Sequence, residues 1–525
     1  MSDDKDSLQG VVFAEQNDVE LEDASILDKI EEESHPPIPE LEFNTPYSYA
    51  KTFFIELLNL LKLAFPIFVT WISFSTMMVV DNIFLGSLDD SRFIAAATLS
   101  SAYTTCLVYI PVGMVGAQDT LISQAFGMKK THVIKLVLSR TILITTVVFI
   151  PIIFLFVFPD AIFRYMVLES DQQVAAFAVT FNRLIVPGLY PFLIYRVFAS
   201  YLTSQSRVYA PMIIGILCNL CNILFNSLLV SGIGYQGLGF NGAPIGTSLA
   251  RLIMALLAIT IVTITQYRSR RNNEEVPDIL PEMNKEAIKE YFKQMLNWVG
   301  IKEFIKLAIP ACFSQCLGLW AFQCTSIAAA RIGEKSIAAH GLVLNLGIQT
   351  FMIPATIGVA TSIRVGQRLG QRDAAGAKRV CYTGIVTGGA AMCICGIVIV
   401  LIRKQFTRWF VDDDQVADIA SKIMIVSAYC QVFDGVQSVC RGVLNGTGRQ
   451  NVGAICLFIS YYLVGIPLGC FLAFYMEWEL FGLYIGLATG LTLITIFTLS
   501  YLYFKLDWNE EVEKAIKRVE KSDTK

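Results

Sequence analysis

Twelve long apolar runs between residues 55 and 504 constrain the fold of this chain more than any other feature. Each run has roughly 20–30 residues, enough at 1.5 Å per residue to cross a hydrocarbon layer about 30 Å thick. Only 16% of the 525 residues are charged, whereas soluble proteins carry about a quarter. The chain is therefore predicted to be an all-α membrane protein with twelve transmembrane helices. Numbered 1 to 12, the predicted spans are residues 55–85, 93–123, 133–158, 173–198, 208–231, 242–266, 303–330, 337–366, 377–402, 417–440, 451–475 and 481–504.

The charged segments between the runs predict which way the chain crosses the membrane. The loops after even-numbered spans are rich in Lys and Arg, such as Lys129, Lys130 and Arg372, whereas odd-numbered loops carry acidic clusters such as residues 412–414. Cytoplasmic loops of membrane proteins are enriched in Lys and Arg. The even-numbered loops and both termini are therefore predicted to be cytoplasmic, with the protein in the plasma membrane or in a vacuolar or other endomembrane.

The two halves of the chain repeat each other in sequence at a nearly constant offset of 240 to 244 residues. The clearest matches are residues 60–66 (LLKLAFP) with 304–310 (FIKLAIP), 123–127 (SQAFG) with 366–370 (GQRLG), and 242–246 (GAPIG) with 482–486 (GLYIG). Six spans per half give both copies the same direction, so an axis along the membrane normal should relate them, with the substrate path between them. The repeat predicts two six-helix lobes and transport by alternating access.

Two glycines occupy equivalent positions in this repeat. Gly127 and Gly370 each stand just past a span, where a helix C-cap often takes a positive φ. Both are predicted to be left-handed caps.

These boundaries predict five regions. They are a disordered acidic cytoplasmic tail (1–48), a first lobe (49–267), a cytoplasmic linker (268–302), a second lobe (303–506) and a cytoplasmic C-terminal tail (507–525). The sequence contains no nucleotide-binding G-x-x-x-x-G-K-[ST] motif, no catalytic or metal-ligand spacing and no basic patch suited to nucleic acid. We therefore expect a monomeric transporter rather than an enzyme, without cofactor or metal, whose partners are the bilayer and a small molecule.

Three carboxylates, Asp81, Asp119 and Asp434, lie inside predicted spans. An ionised carboxylate costs a few kcal/mol or more near the bilayer centre, so it normally faces a bundle interior and marks an ion path. Asp434, the deepest and without a nearby cation in sequence, and Asp81 are predicted to bind the coupling proton or a cationic group. Asp119 is close to a basic loop, could pair with Lys129 or Gln124, and is predicted to be structural.

Amide side chains form the second polar feature. Asn219, Asn222 and Asn226 share one face of span 5 because they are spaced three or four residues apart. Asn222 and Asn226 could hydrogen-bond Asp81, although such amides also simply join helices. Gln437 and Gln323 are predicted to be further polar residues of the cavity.

Several motifs resemble the multidrug and toxic compound extrusion (MATE) family, specifically its eukaryotic members, over about residues 53–514. They are residues 434–437 (DGVQ), 441–454 (RGVLNGTGRQNVGA), 461–469 (YYLVGIPLG), 117–127 (AQDTLISQAFG) and 362–367 (SIRVGQ). The resemblance implies two six-helix lobes around a V-shaped cleft. It also implies an antiporter that exports organic cations, drugs or metabolites in exchange for H⁺, or in some branches Na⁺.

The resemblance also implies roles for single residues. Asp434 falls on the family's tenth-span acid and Asp81 on the first-span Asp, while Asn222 and Asn226 fall on the fifth-span partners of that Asp. The sequence departs from the family in the seventh span. The family's Glu there is replaced by Gly318 and a second acid by Gln323, so the second lobe has lost carboxylates and Asp81 gains importance for ion coupling.

Two other substrate classes stay open. An exporter of an organic anion such as citrate would need an arginine in the cavity, for which Arg183 and Arg196 in span 4 are the candidates. A flippase for lipid-linked precursors, from the same superfamily, would carry more positive charge in the central cleft than this chain shows.

Overall fold

The computed structural model describes residues 46–88, 90–166, 172–232, 236–272, 285–411 and 413–523. Within these ranges twelve helices are long and apolar enough to cross a membrane, and no residue forms a strand. The prediction of an all-α protein with twelve spans is therefore confirmed. Most of the predicted acidic tail (residues 1–45), residues 273–284 of the predicted linker and Asp412 lie outside the described residues.

Most of the helices are longer than the predicted spans, because they continue past the thickness of a hydrocarbon layer. Spans 1 to 6 are Pro46–Gly86, Ser91–Gly127, Thr131–Val157, Gln172–Ser204, Tyr209–Ser231 and Gly242–Asn272. Spans 7 to 12 are Trp298–Ile332, Glu334–Gly370, Ala374–Phe410, Asp414–Gly446, Gln450–Tyr475 and Glu479–Phe504. Shorter helices are Asp160–Met166, Gly239–Asn241, Lys285–Met295 and Trp508–Ser522.

The two ends of the molecule are named by their loops. The basic end holds the loops after even-numbered spans together with helices Lys285–Met295 and Trp508–Ser522. The acidic end holds the loops after odd-numbered spans. Each odd-numbered span runs from the basic end to the acidic end, and each even-numbered span runs back.

At the acidic end each lobe has its own hydrophobic core. One cluster, around Leu85, Phe156 and Phe240, takes all its buried members from spans 1 to 6 and the short helices Asp160–Met166 and Gly239–Asn241. Another, which includes Ile399 and Leu483, takes its members from the second half of the chain. The two lobes are thus packed independently at this end.

At the basic end the lobes exchange helix segments. Leu60 and Leu63 of span 1 pack into the core of the second lobe. Phe304 and Leu307 of span 7 pack into the core of the first lobe. These segments are the ones that repeat in sequence, so the exchange is reciprocal. Joined cores at one end and separate cores at the other produce a V-shaped cleft that widens toward the acidic end.

Hydrogen bonds across the basic end follow the same symmetry. Gln124 Nε2 donates to the carbonyl oxygen of Gly446 at 2.9 Å, and Gln367 Nε2 donates to the carbonyl oxygen of Ser204 at 3.1 Å. Gln124 is the repeat equivalent of Gln367, and Ser204 is the repeat equivalent of Gly446. The two bonds are therefore copies of one interaction, related by the axis that relates the lobes.

The prediction that Gly127 and Gly370 are left-handed caps is wrong. The left-handed positions are Lys129 (φ 57°) and Arg372 (φ 63°), which are themselves repeat equivalents. The two glycines pack against each other instead. A Cβ on either would lie 3.0 Å from the Cα of the other and would collide with a carbonyl oxygen of the opposite helix. Glycine is needed here because two backbones approach closely.

The C-terminal region, predicted as a tail, contains the amphipathic helix Trp508–Ser522. This helix contacts spans 2 and 3 of the first lobe and spans 7 to 9 of the second. Its residue Glu511 is only 1% exposed and forms an ion pair of 2.6 Å with Arg449, beyond span 10. The hydrogen bond from Arg449 to this carboxylate also raises the pKa of the guanidinium. At the other end of the helix, Arg140 of span 3 donates to the Ser522 carbonyl oxygen at 2.9 Å.

Arg140 donates hydrogen bonds to the C-terminal ends of two helices. It is 1% exposed and also donates to the carbonyl oxygens of Gln294 and Met295, where helix Lys285–Met295 ends. Helix C-termini carry partial negative charge and unpaired carbonyl oxygens, both of which a guanidinium can satisfy. The hydrogen bonds of Arg140 therefore hold helices Lys285–Met295 and Trp508–Ser522 against the first lobe.

Candidate functional site

Asp81 of span 1 is buried between spans 5 and 6 and is 8% exposed. Asn226 Nδ2 donates to its Oδ1 atom at 2.8 Å and Asn222 Nδ2 at 3.3 Å. Thr247 Oγ1 of span 6 donates to its Oδ2 atom at 2.6 Å. The structure thus brings Asp81 together with the two asparagines that the sequence proposes as its partners.

Local structure explains why the donors converge. Asn222 and Asn226 lie one turn apart on span 5, and a π-helical turn, Ser227–Ser231, begins directly after Asn226. Such turns occur often at functional sites. The third amide of this face, Asn219, does not reach Asp81. It donates to the carbonyl oxygen of Ser73 at 3.1 Å and joins spans 5 and 1.

Sequence reasoning missed two residues of this site, Thr247 and Arg251. Arg251 lies one turn after Thr247, on the same face of span 6 as this donor to Asp81. Its guanidinium carbon lies 5.2 Å from the ring centroid of Phe192. The rule that singled out carboxylates inside spans applies equally to cations and would have found Arg251.

Asp434 of span 10 has a different environment. It is partly buried, and we find no hydrogen-bond donor to its carboxylate among the described residues. The expectation that no cation is near it in sequence is wrong. Arg441, two turns further along span 10, acts on it electrostatically and lies 5.9 Å from the ring centroid of Phe351. Arg441 was missed because the predicted span ended at residue 440.

The remaining polar residues of the second lobe are dispersed. Gln437 accepts a hydrogen bond from Thr498 Oγ1 at 2.8 Å, which links spans 10 and 12. Gln323 of span 7 is exposed. At Gly318, a Cβ would meet only Leu457, at 3.8 Å, so the position has room for a side chain that this chain lacks.

Asp119 accepts hydrogen bonds from Ser200 Oγ at 2.5 Å and Ser204 Oγ at 3.1 Å, both on span 4. The suggested pairing with Lys129 or Gln124 is therefore wrong, because the donors come from span 4 and the amide of Gln124 donates to Gly446 instead. Its hydrogen bonds join spans 2 and 4.

The two arginines considered for an anion site also have carboxylate neighbours. Arg196 acts electrostatically on Asp119. Arg183 forms an exposed ion pair of 2.8 Å with Asp160 near the acidic end. Each of the two arginines therefore has an acidic neighbour that offsets its charge.

Comparisons with known proteins agree on one family. The MatE family profile matches the chain twice, at residues 66–228 and 310–471, which reproduces the offset of the internal repeat. Multidrug and toxin extrusion protein 1 of Xenopus tropicalis is 28% identical over 479 residues, covering 90% of this chain and 79% of the relative. Multidrug resistance protein NorM of Aliivibrio fischeri is 26% identical over 443 residues, covering 83% and 92%.

Solved structures show the same fold. The crystal structure of the eukaryotic MATE transporter AtDTX14 superposes with a TM-score of 0.78 at 21% identity, covering 89% of this chain and 99% of that chain. An outward-facing conformation of a multidrug resistance MATE family transporter of the MOP superfamily superposes with a TM-score of 0.71 at 15% identity, covering 87% and 96%.

Proposed function

The chain belongs to the MatE family of efflux transporters, and on that premise we propose that it is a secondary antiporter exporting organic cations in exchange for protons. The observation that carries the proposal is Asp81, a buried carboxylate held by three side-chain donors inside one lobe of a cleft. A buried carboxylate is costly unless it binds a proton or a cation. Competition between these two occupants couples the movement of one to the movement of the other.

The orientation of the protein follows from its charges. We take the basic end as cytoplasmic, because cytoplasmic loops are enriched in Lys and Arg. With that orientation, the cleft that widens toward the acidic end is open to the outside. Rocking of the lobes about their joined cores would then close the acidic end and open the basic end.

The substrate class is argued from Asp434. A carboxylate that accepts no hydrogen bond from the described residues offers its charge to a ligand rather than to the protein. The relatives bear names of multidrug and toxin extrusion proteins, in keeping with varied organic substrates. We propose an organic cation that binds near Asp434, transported by a monomer in the plasma membrane or an endomembrane.

One observation favours a second candidate, the export of an organic anion such as citrate. Arg441 is near Asp434 but forms no direct ion pair with a described carboxylate. A guanidinium in that position could bind a substrate carboxylate. The cation is preferred because an anion would also have to approach Asp434.

The test is transport by purified protein in proteoliposomes, with the pH gradient and the Na⁺ gradient varied separately. The probes are a cationic, a neutral and an anionic dye of similar size. We expect the pH gradient to drive the cationic dye, and the Asp81→Asn variant to lose that response. If only the anionic dye is transported, the substrate is an organic anion and not a cation. If neither gradient drives transport of any dye, antiport is refuted.

A further inference from the structure

Two amphipathic helices lie at the basic end, and they differ in what they leave exposed. Helix Trp508–Ser522 packs Ala515 and Val519 into the two joined cores, and none of the large apolar side chains described on it is exposed. Helix Lys285–Met295, which we call the linker helix, leaves Phe292 more than half exposed. The backbone N–H of Leu296 donates to the Phe292 carbonyl oxygen at 3.0 Å, so Leu296, equally exposed, extends the same side by one turn.

The inner side of the linker helix is already bound to span 3. The hydroxyl of Tyr291 donates to the carbonyl oxygen of Lys135 at 3.5 Å, and Lys135 Nζ lies 4.7 Å from the centroid of the Tyr291 ring. Arg140 donates to the carbonyl oxygens at the C-terminus of the helix. The helix is therefore held in place by one side, and the exposed side with Phe292 is available to something outside the described protein.

The exposed apolar side chains continue onto the lipid-facing side of span 7. Trp298 and Val299, in the first turn of this span, are more than half exposed. Trp298, Lys302, Ile309 and Phe313 share one helix face because they follow each other at intervals of four or seven residues. Ile309 and Phe313 are exposed apolar residues inside a membrane span, so this face meets lipid. Its first turn therefore lies where span 7 enters the bilayer.

We call Phe292, Leu296, Trp298 and Val299 the entry patch. Exposed lysines accompany it, namely Lys289 and Lys293 on the linker helix and Lys302 on span 7.

The charge of this segment is positive. Residues 285–302 contain four lysines and two glutamates. Lys293 Nζ lies 3.8 Å from Glu290, but both side chains are largely exposed, so water screens the pair. Apolar and aromatic side chains beside lysines on one side of a helix are typical of segments that lie in the membrane interface.

We propose that residues 285–302 form a docking surface for anionic phospholipids. The entry patch inserts at the boundary between head groups and acyl chains, and the lysines bind the negatively charged head groups. In the proposed orientation the basic end faces the cytoplasmic leaflet, which carries the anionic lipids. Because the linker helix is bound to span 3 and leads directly into span 7, lipid bound here stabilises the connection between the two lobes.

The test is quenching of Trp298 fluorescence by brominated lipids, with the full-length protein in nanodiscs. The signal of Trp298 is the difference between the native protein and Trp298→Phe. Brominated phosphatidylserine is titrated into phosphatidylcholine in one series and brominated phosphatidylcholine in the other. We expect phosphatidylserine to quench Trp298 at a mole fraction about fivefold lower, because the lysines concentrate anionic lipid around the patch.

The charge contribution is tested with two pairs of lysines. Lys289→Gln with Lys293→Gln should reduce the preference for phosphatidylserine to about twofold or less. Lys517→Gln with Lys521→Gln is the matched control, because it removes two exposed lysines of the same spacing from helix Trp508–Ser522 at the same end. The control should keep the full preference. Raising NaCl from about 0.05 M to about 0.5 M should weaken the preference of the native protein.

The inference is overturned if both lipids quench Trp298 equally in the native protein, or if neither lipid quenches it. It is also overturned if both pairs of lysine variants lose the preference alike, because the effect then belongs to the overall charge. A third arm uses acrylamide, a neutral quencher in water, with phosphatidylcholine alone. If the Lys289 and Lys293 variant exposes Trp298 to acrylamide there, the lysines bind another segment of the chain and not lipid, which also overturns the inference.

The measurement involves no transported dye and no pH gradient. Failure of the proposed antiport in the dye assay would therefore leave the lipid result unchanged, and the two failures can be told apart.

Discussion

The two lobes carry their intramembrane acids in opposite ways. In the first lobe, three side chains of spans 5 and 6 donate to Asp81. In the second lobe, no described residue donates to Asp434. A carboxylate with fixed donors is already stabilised by its own lobe, whereas one without them depends on what enters the cleft. Duplication gave both lobes one architecture, but we expect Asp81 to bind the coupling proton and Asp434 to bind the cationic substrate.

The repeat shows where the lobes diverged. Thr247 and Arg251 correspond to Leu487 and Leu491 at the offset of 240 that relates spans 6 and 12. Leu487 lines a small, mostly apolar cavity in the second lobe. The second lobe has no copy of the Asp81 site, because Thr325 stands where the acid would be and Leu487 where the hydroxyl donor would be.

The largest effect is expected at Asp81. Asp81→Asn keeps the shape of the side chain but removes its charge, and should lower pH-driven efflux of a cationic dye about 100-fold, or about 2.7 kcal/mol. Thr247→Val is the matched control, since it removes one donor and leaves the charge in place. Efflux is measured in proteoliposomes. A fully active Asp81→Asn variant would show that Asp81 is not the coupling acid, which contradicts the proposed difference between the lobes.

At the basic end, where the lobes are alike, equal effects are expected. Gly127→Val and Gly370→Val each force a side chain into the opposite backbone, and each should destabilise the protein by about 1–3 kcal/mol. Folded yield and unfolding temperature in detergent measure this. A marked difference between the two variants would show that the two glycines contribute unequally to stability, although the hydrogen bonds around them are symmetric.

At Asp434 a smaller effect is expected, on the KM for the substrate and not on proton coupling. Asp434→Asn should raise the KM for a cationic dye about tenfold, or about 1.4 kcal/mol, while the dependence on the pH gradient persists. The same assay with a neutral dye is the control, because its KM should not change. If Asp434→Asn instead removes the pH dependence as Asp81→Asn does, the two lobes are equivalent and share the coupling.

The smallest effect is expected at Asp119. Its hydrogen bonds from Ser200 and Ser204 join two helices of one lobe. Asp119→Asn should cost about 1 kcal/mol of stability, with the efflux rate per folded molecule unchanged. Unfolding temperature and efflux are measured on the same preparation. Loss of pH-driven efflux without loss of stability would place Asp119 among the coupling acids.

Much of the fold could be predicted from the sequence because hydrophobic length and an internal repeat are one-dimensional signals. Helical spacing placed Asn222 and Asn226 on one face of span 5, and the family resemblance pointed to Asp81 as their partner. The packing of Gly127 against Gly370 did not, because it depends on a helix from the other half of the chain. Arg441 was missed because the predicted end of span 10, residue 440, falls six residues short of the helix end at Gly446, so a predicted site depends strongly on where a helix is taken to end.

The exchange of segments between the lobes has a consequence for biosynthesis. The core of the first lobe includes Phe304 and Leu307 of span 7 and Val519 of the C-terminal helix. A ribosome has already made spans 1 to 6 long before these residues leave it. The usual order, in which an N-terminal unit folds before the next one is made, therefore cannot apply in full. The core of the first lobe therefore stays incomplete in the membrane until Val519 has been translated.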